Sequence, residues 1–358
     1  MSAAGARAPE SLLVVRLGAM GDIIHTLPAV TALRSAFQET KIGWVVEDRW
    51  AELLCARDSR RSGPRSASRP LVDFVHITDT KAWRKSLLSR ETQRQISKIR
   101  REIRDCKYEI AVDFQGALKS AAIARLSRAG TIFGMANPRE APARIVYNHR
   151  VATTGTHVVE QYHSIAEAVA ARRLATTRIE FPRDDNAEGT IAEKLSEIGE
   201  NFVLINPGAG WGAKQWRPER FGEVASELAK TGLAPLINFG PGEKELALTV
   251  ESASDGAARL ISCSIAELIA LNRRAKLFIG GDTGPMHLAA ALGVPVVAIF
   301  GPTDPARNGP YGTRNIVVRN PASRTSRSHT KQADPGLLQI TTNEVVTAAR
   351  RLLETANA

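Results

Sequence analysis

Residue types that do chemistry gather in a few short stretches of this chain. The first is Arg16-Leu17-Gly18-Ala19-Met20-Gly21-Asp22, directly after the apolar run that starts at Ser11. Glycines after a strand allow a tight turn and a close approach by a ligand. Asp22 then has two readings. It caps the following helix by accepting orphan N–H bonds, or it is a carboxylate poised as a general base. The third glycine of G-x-G-x-x-G is missing, which argues against a dinucleotide fingerprint and a nicotinamide dehydrogenase. The second stretch is Asn206-Pro207-Gly208-Ala209-Gly210-Trp211-Gly212-Ala213-Lys214-Gln215-Trp216. Glycines beside Lys214 suit a diphosphate, with the lysine as a point charge; the plainer reading is a flexible loop with a solvated lysine. Trp216 is expected to pack near Pro218 rather than to stack on a ligand. The third is Gly280-Gly281-Asp282-Thr283-Gly284-Pro285-Met286-His287. Its small residues free backbone N–H groups, and the helix expected to follow offers its positive end to a phosphate. Read plainly, it is an Asp-Thr-Gly turn with a satisfied histidine. Glu243, after Gly240-Pro241-Gly242, is either a first-turn helix acid or an acceptor for ribose hydroxyls.

A basic stretch adds Lys81, Trp83, Arg84 and Lys85, followed by Arg90, Arg94, Lys98, Arg100, Arg101 and Arg104. Alone it reads as a solvated helix face. With Lys119, Arg139, Arg144 and Arg150 it has the guanidinium content to hold an acceptor rich in phosphate and carboxylate.

The elements that must position these residues follow from periodicity. Apolar strand-like runs alternate with helical patterns in both halves, which predicts stacked βα units and mostly parallel sheets. Strands are expected at Ser11–Arg16, Ile42–Glu47, Asp73–Ile77, Tyr108–Phe114 and Thr131–Gly134, with one long polar helix over Lys81–Asp105 and another helix over His157–Ala171. Arg172–Ala187, with Pro182, reads as a linker. Beyond it the pattern restarts at Phe202–Asn206 and continues through strands at Ala234–Phe239, Arg259–Ser262, Lys276–Gly280 and Pro295–Phe300. The 358 residues thus predict two α/β domains, 1–180 and 181–341, and a last amphipathic helix. Two open sheets of this kind bind ligands at the carboxyl ends of their strands, in a cleft that both domains border. Arg57–Pro70 and Asn320–Gly336, rich in Ser, Arg and Pro, are expected to be mobile loops.

Composition narrows the function. The net charge of +11 is confined to the first half, with 29 basic and 18 acidic residues over 1–180 against 19 of each over 181–358. The first domain is therefore expected to meet something anionic. No helix-turn-helix, zinc or aromatic-rich RNA-binding pattern accompanies that charge, so nucleic acid is not the expected partner. No apolar run reaches the roughly 18–20 residues of a membrane span. Three scattered cysteines, Cys55, Cys106 and Cys263, describe neither a disulfide framework nor a zinc site, and a reduced cytoplasmic setting is expected.

Together the motifs resemble the lipopolysaccharide heptosyltransferases of glycosyltransferase family nine. The likeness rests on Gly21-Asp22-Ile23-Ile24-His25-Thr26-Leu27-Pro28-Ala29, Trp44-Val45-Val46-Glu47, Asp113-Phe114-Gln115-Gly116-Ala117-Leu118-Lys119-Ser120, Asp282 to His287, and Gly301-Pro302-Thr303-Asp304-Pro305. Trp83-Arg84-Lys85, Arg139-Glu140 and Tyr147-Asn148-His149-Arg150 are most similar to the heptosyltransferase I branch. The resemblance implies a GT-B fold of two Rossmann-like domains, with the C-terminal helix, about 342–358, packing back on the first. It implies an ADP-heptose donor in the second domain, at Gly208, Lys214, Glu243, Asp282, Thr283, Gly284 and His287. It implies Kdo2-lipid A in the first, at Trp83, Arg84, Lys85, Gln115, Lys119, Arg139 and Arg150. Asp22 matches the family's base, and Lys214 sits where a diphosphate leaves. The expected reaction is inverting transfer by a peripheral enzyme on the cytoplasmic face of the inner membrane, with no cofactor, obligatory metal or obligate protein partner. A nucleotide-sugar epimerase of the same general fold and a nucleic-acid-binding protein are the rival readings.

Overall fold

Leu12 to Val15 are fully buried, as expected of a central strand covered on both faces. In the computed structural model, which describes residues 7–86, 88–326 and 332–354, this run is β1 (Ser11–Val15). It begins the first of two units, Met1–Asp184 and Asp185–Ala358.

The first unit continues with α1 (Met20–Ala36), β2 (Lys41–Glu47), β3 (Phe74–Thr78), α2 (Thr80–Lys85), α3 (Arg90–Asp105), β4 (Ile110–Asp113), α4 (Leu118–Leu126), β5 (Thr131–Met135), β6 (His149–Val151) and α5 (Val158–Ala170). Its described strands form one parallel sheet in the order β3-β2-β1-β4-β5-β6. The direction of travel reverses between β1 and β4, and a Rossmann-type sheet opens a crevice at that point. The single helix expected over Lys81–Asp105 is two helices. Ser89 ends the break between them, its hydroxyl accepting from Thr92 N at 3.1 Å as the cap of α3. β6 was not expected, because its three residues carry no apolar alternation.

Arg57–Pro70, expected to be mobile, is pinned. Arg69 is buried, and its guanidinium donates to the carbonyls of Val72 (3.0 Å), Gly63 (2.7 Å), Pro64 (2.8 Å) and Arg60. One arginine with five N–H donors thus satisfies a loop that has little apolar content of its own.

The second unit contains α6 (Asp185–Ser196), β7 (Phe202–Asn206), α7 (Pro218–Ala229), β8 (Ala234–Phe239), α8 (Lys244–Ser252), β9 (Arg259–Ser262), α9 (Ile265–Asn272), β10 (Leu277–Gly281), α10 (Gly284–Ala291), β11 (Val296–Phe300), α11 (Pro305–Asn308), β12 (Asn315–Arg319) and α12 (Thr342–Glu354). The described strands run β12-β11-β10-β7-β8-β9, all parallel, so the reversal falls between β7 and β10. Both units therefore share one strand order, and the architecture is the two-Rossmann GT-B type.

α12 is amphipathic. Val345, Val346, Ala349 and Leu352 form a stripe at helical spacing that is buried with Val297, Ile299 and Val318 of the second sheet. The stripe is thus buried within the helix's own unit, at roughly 1.5–3 kcal/mol per aliphatic side chain. Part of the Asn320–Gly336 segment, 327–331, lies outside the described residues.

Candidate active site

In the second unit the chemistry collects where the sheet order reverses. The loop after β7 carries Gly208 and Lys214, and the turn after β10 carries Asp282 and Thr283. Lys214 Nζ donates to Asp282 Oδ2 at 2.5 Å and to the Asp282 carbonyl at 3.2 Å, and lies 5.1 Å from the centre of the Trp211 ring. The other carboxylate oxygen of Asp282 meets His287 Nε2 at 3.1 Å. Burial alone would raise the Asp282 carboxyl, but His287 and the Lys214 ammonium more than offset it and hold it well below the ordinary carboxylate range. Lys214 is thus a cation fixed at one place, not a solvated chain on a mobile loop. Thr283 is the N-cap of α10 with no side-chain cap bond, and Pro285 occupies the first turn. Pro285 carries no N–H and His287 N donates to the Thr283 carbonyl at 3.3 Å, so the turn offers an anion the N–H groups of Gly284 and Met286.

Gly208 sits against Glu243. A Cβ on Gly208 would lie 2.3 Å from Glu243 Oε1, so only glycine lets the carboxylate come so near. Glu243 Oε2 accepts from Gly240 N at 2.8 Å, which makes it a turn-closing acid with its other oxygen at the β7 loop. Trp216, as expected, is core: buried, edge-on to Phe221 at 4.8 Å, with its N–H on the Ile340 carbonyl. A pair that sequence reasoning missed lies nearby. Asn238 Nδ2 donates to Asn206 Oδ1 at 2.7 Å, and Asn238 Oδ1 is buried without a partner among the described residues. Its only signal in the sequence was an amide at the carboxyl end of each of two neighbouring strands.

In the first unit the equivalent reversal lies between β1 and β4, and Asp22 stands beside it. Asp22 is the third residue of α1, not its N-cap. Its Oδ2 accepts from Ala19 N at 3.2 Å and pairs with Arg16 Nη2 at 2.8 Å. One oxygen therefore serves the cap, and the side chain remains 42% exposed, so capping and proton transfer are compatible in one carboxylate. Arg16 itself is buried, donates to the Phe114 carbonyl at 2.7 Å and lies over the Tyr162 ring at 5.4 Å. Gly18 is required by the indole of Trp50, whose Nε1 would be 2.9 Å from any Cβ placed there. Gln115 uses Oε1 to accept from Leu17 N at 3.0 Å, so it also holds the loop that presents Asp22. Behind it Asp113 is fully buried and accepts from Tyr147 Oη (2.7 Å), Ser120 Oγ (2.8 Å), Gln115 N and Gly116 N. Burial raises its carboxyl despite these donors.

The pattern of Glycosyltransferase family 9 (heptosyltransferase) matches residues 96–336, about two thirds of the chain. The chain belongs to this family. It is a glycosyltransferase. The chain is 28% identical over 313 residues to the lipopolysaccharide heptosyltransferase 1 of Pseudomonas aeruginosa, covering 85% of this chain and 82% of that protein. It is also 28% identical over 316 residues to the enzyme of that name from Escherichia coli K12, covering 87% and 93%. Among solved structures, the E. coli heptosyltransferase WaaC with ADP superposes with a TM-score of 0.76 at 25% identity, over 96% of this chain and 99% of that one.

Against this glycosyltransferase frame, the expected acceptor residues of the first unit fall in two groups. Trp83, Arg84 and Lys119 line a pocket of about 600 Å³ with Glu47, Arg49, Lys81 and Ile123. Trp83 is held by a 2.8 Å bond to Gln95. Lys119 Nζ lies 3.2 Å from Thr80 Oγ1 and 3.9 Å from Glu47 Oε1, which Thr80 also contacts. Lys85 is exposed at the end of α2, outside the pocket lining. Arg139 and Arg150 are exposed in the β5–β6 region, where Arg150 Nε donates to the Arg144 carbonyl at 3.2 Å. Glu47 had no assigned role in the sequence, although a carboxylate closing the apolar strand Trp44-Val45-Val46 was the available signal. It is 7% exposed at its side chain and supplies the counter-charge for Lys119.

Proposed function

We propose that this chain transfers heptose from ADP-L-glycero-D-manno-heptose to the inner Kdo of Kdo2-lipid A, with inversion, in the assembly of the lipopolysaccharide core. Asp22 takes the proton of the acceptor hydroxyl as that oxygen attacks the anomeric carbon, and ADP leaves from the opposite face. Charge grows on the departing diphosphate, so a cation and helix N–H groups that are already in place stabilise the transition state more than the ground state. The observation that carries this reading is the Lys214–Asp282–His287 constellation beside the uncapped start of α10. It offers the phosphates an ammonium fixed in place by Asp282, next to the N–H groups that open α10. Gly208 and Glu243 extend the site toward the nucleoside, where Glu243 suits ribose hydroxyls. Lys119, Arg84 and Arg49 around the Trp83 pocket suit the carboxylates and phosphates of the acceptor. The lipid acceptor makes this a peripheral enzyme on the cytoplasmic face of the inner membrane.

Mass spectrometry of the product from ADP-heptose and Kdo2-lipid A, with each substrate omitted in turn, tests the proposal. A heptosylated lipid that needs both substrates is expected. Donor turnover without the lipid would make the chain an epimerase or hydrolase instead. Transfer is also expected to survive EDTA, and its loss with recovery on added magnesium would overturn the metal-free mechanism.

A further inference from the structure

We propose that Arg16 is a positioning residue for the proton transfer, holding Asp22 so that one carboxylate oxygen faces the acceptor; this rests on the reading of Asp22 as the base. Arg16 follows β1, beside the point where the strand order of the first sheet reverses. Its side chain is buried, while that of Asp22 is 42% exposed. Nη1 donates to the Phe114 carbonyl at 2.7 Å, and Nη2 lies 2.8 Å from Asp22 Oδ2. The Trp44 indole donates to the Arg16 carbonyl at 3.0 Å, and the Tyr162 ring centre lies 5.4 Å from the guanidinium carbon. A cation anchored in this way reaches out of the interior to a carboxylate that is open to solvent. Ala19 N also donates to Oδ2, and no described residue bonds Oδ1.

Arg34 and Arg69 show what a purely structural arginine does in this unit. Both are buried, and each bonds with all three guanidinium nitrogens, to main-chain carbonyls or, for Arg34 Nη2, to Asp73 Oδ2. Arg16 instead leaves Nε buried without a partner among the described residues. Buried N–H groups are nearly always bonded, so the orphan marks a guanidinium oriented by its two Nη contacts rather than by its own satisfaction. Fixing Oδ2 restricts rotation of the Asp22 carboxylate and aims Oδ1. As the acceptor oxygen bonds to the anomeric carbon, the bond from that carbon to the diphosphate breaks. Its electron pair leaves with ADP, and the hydroxyl proton passes to Oδ1. Arg16 touches none of the reacting atoms, but a misplacement of about 1 Å at such a centre costs on the order of a hundredfold in rate.

The test is steady-state transfer from ADP-heptose to Kdo2-lipid A by the full chain, beside calorimetric titration with ADP. Arg16→Gln keeps an N–H for the Phe114 carbonyl and loses the cation. Its kcat is expected to fall about a hundredfold, with the acceptor KM and the ADP Kd within about twofold of wild type. Arg16→Lys keeps the charge without the fork and is expected to fall only about tenfold. Adding Arg16→Gln to Asp22→Asn should cost nothing further, because the residue it positions has already lost its basicity. A wild-type kcat in either single variant would overturn the proposal, as would a loss confined to KM or losses that multiply in the double variant. Should Arg16→Gln fail to fold, Arg16→Lys takes its place in the cycle with Asp22→Asn and is judged by the same outcomes. Wild-type transfer by Asp22→Asn would instead remove the base reading, and it is measured without any change at Arg16.

Discussion

Asp22 shows how one carboxylate serves structure and chemistry together. Its Oδ2 holds Ala19 N and Arg16, so Asp22→Asn keeps most of the shape and removes the basicity. Turnover is expected to fall by about two to four orders of magnitude with ADP affinity intact; titration calorimetry with ADP beside a single-turnover assay checks this, and a variant unfolded by circular dichroism would return Asp22 to a purely structural role. Lys214 differs, because its partner is buried. Lys214→Met removes the ammonium that pairs with the buried Asp282 carboxylate and leaves it the contact with His287, and breaking a buried pair in this way costs about 3–5 kcal/mol. The variant should lose both thermal stability and kcat, and ADP should restore less of its melting temperature than of the wild type's. Both motifs were legible in the sequence, but not their states. The alternatives for Lys214, solvated or fixed, differ only in whether Asp282 reaches it from 68 residues away.

At the scale of elements, the Trp83 pocket depends on α2 and α4 being held together. Arg84→Glu with Lys85→Glu is expected to raise the acceptor KM about tenfold or more while the donor KM stays constant, since Arg84 lines the pocket and charge on its rim governs encounter. Glu47→Gln should act on the same constant through Lys119. Combined with Lys119→Met it should cost no more than Lys119→Met alone, and full additivity of the two would show that Glu47 acts independently. The strands were readable because parallel β-strands buried on both faces are continuous apolar runs. β6 and the break between α2 and α3 were not, because three strand residues and a serine cap leave too little pattern.

For the whole molecule, pH acts through a buried histidine. His76 is paired with the Tyr108 hydroxyl at 2.7 Å, and burial pushes its pKa down from 6.5 to about 4. Between those values the unfolded chain takes up a proton that the fold refuses, so stability is lost as the pH falls through that window, by up to about 3 kcal/mol. Urea unfolding at pH 7 and at pH 4.5 should show the loss in wild type and a smaller one in His76→Gln; equal losses would place the acid sensitivity elsewhere.

What the sequence determined by itself is whatever local pattern encodes: the alternation of strands and helices, the restart of that alternation in the second half, the basic first half, and the glycine-rich turns beside Asp22, Lys214 and Asp282. These follow from side-chain periodicity and backbone permissiveness over a few residues. Contacts between distant residues were decided only in three dimensions. The stripe on α12 was legible, but the sheet that buries it was not, because any uncovered apolar face satisfies an amphipathic helix equally well in sequence terms. Arg69 organising its loop, Glu47 holding Lys119 and Asn238 meeting Asn206 likewise depend on which strand ends the tertiary fold makes neighbours.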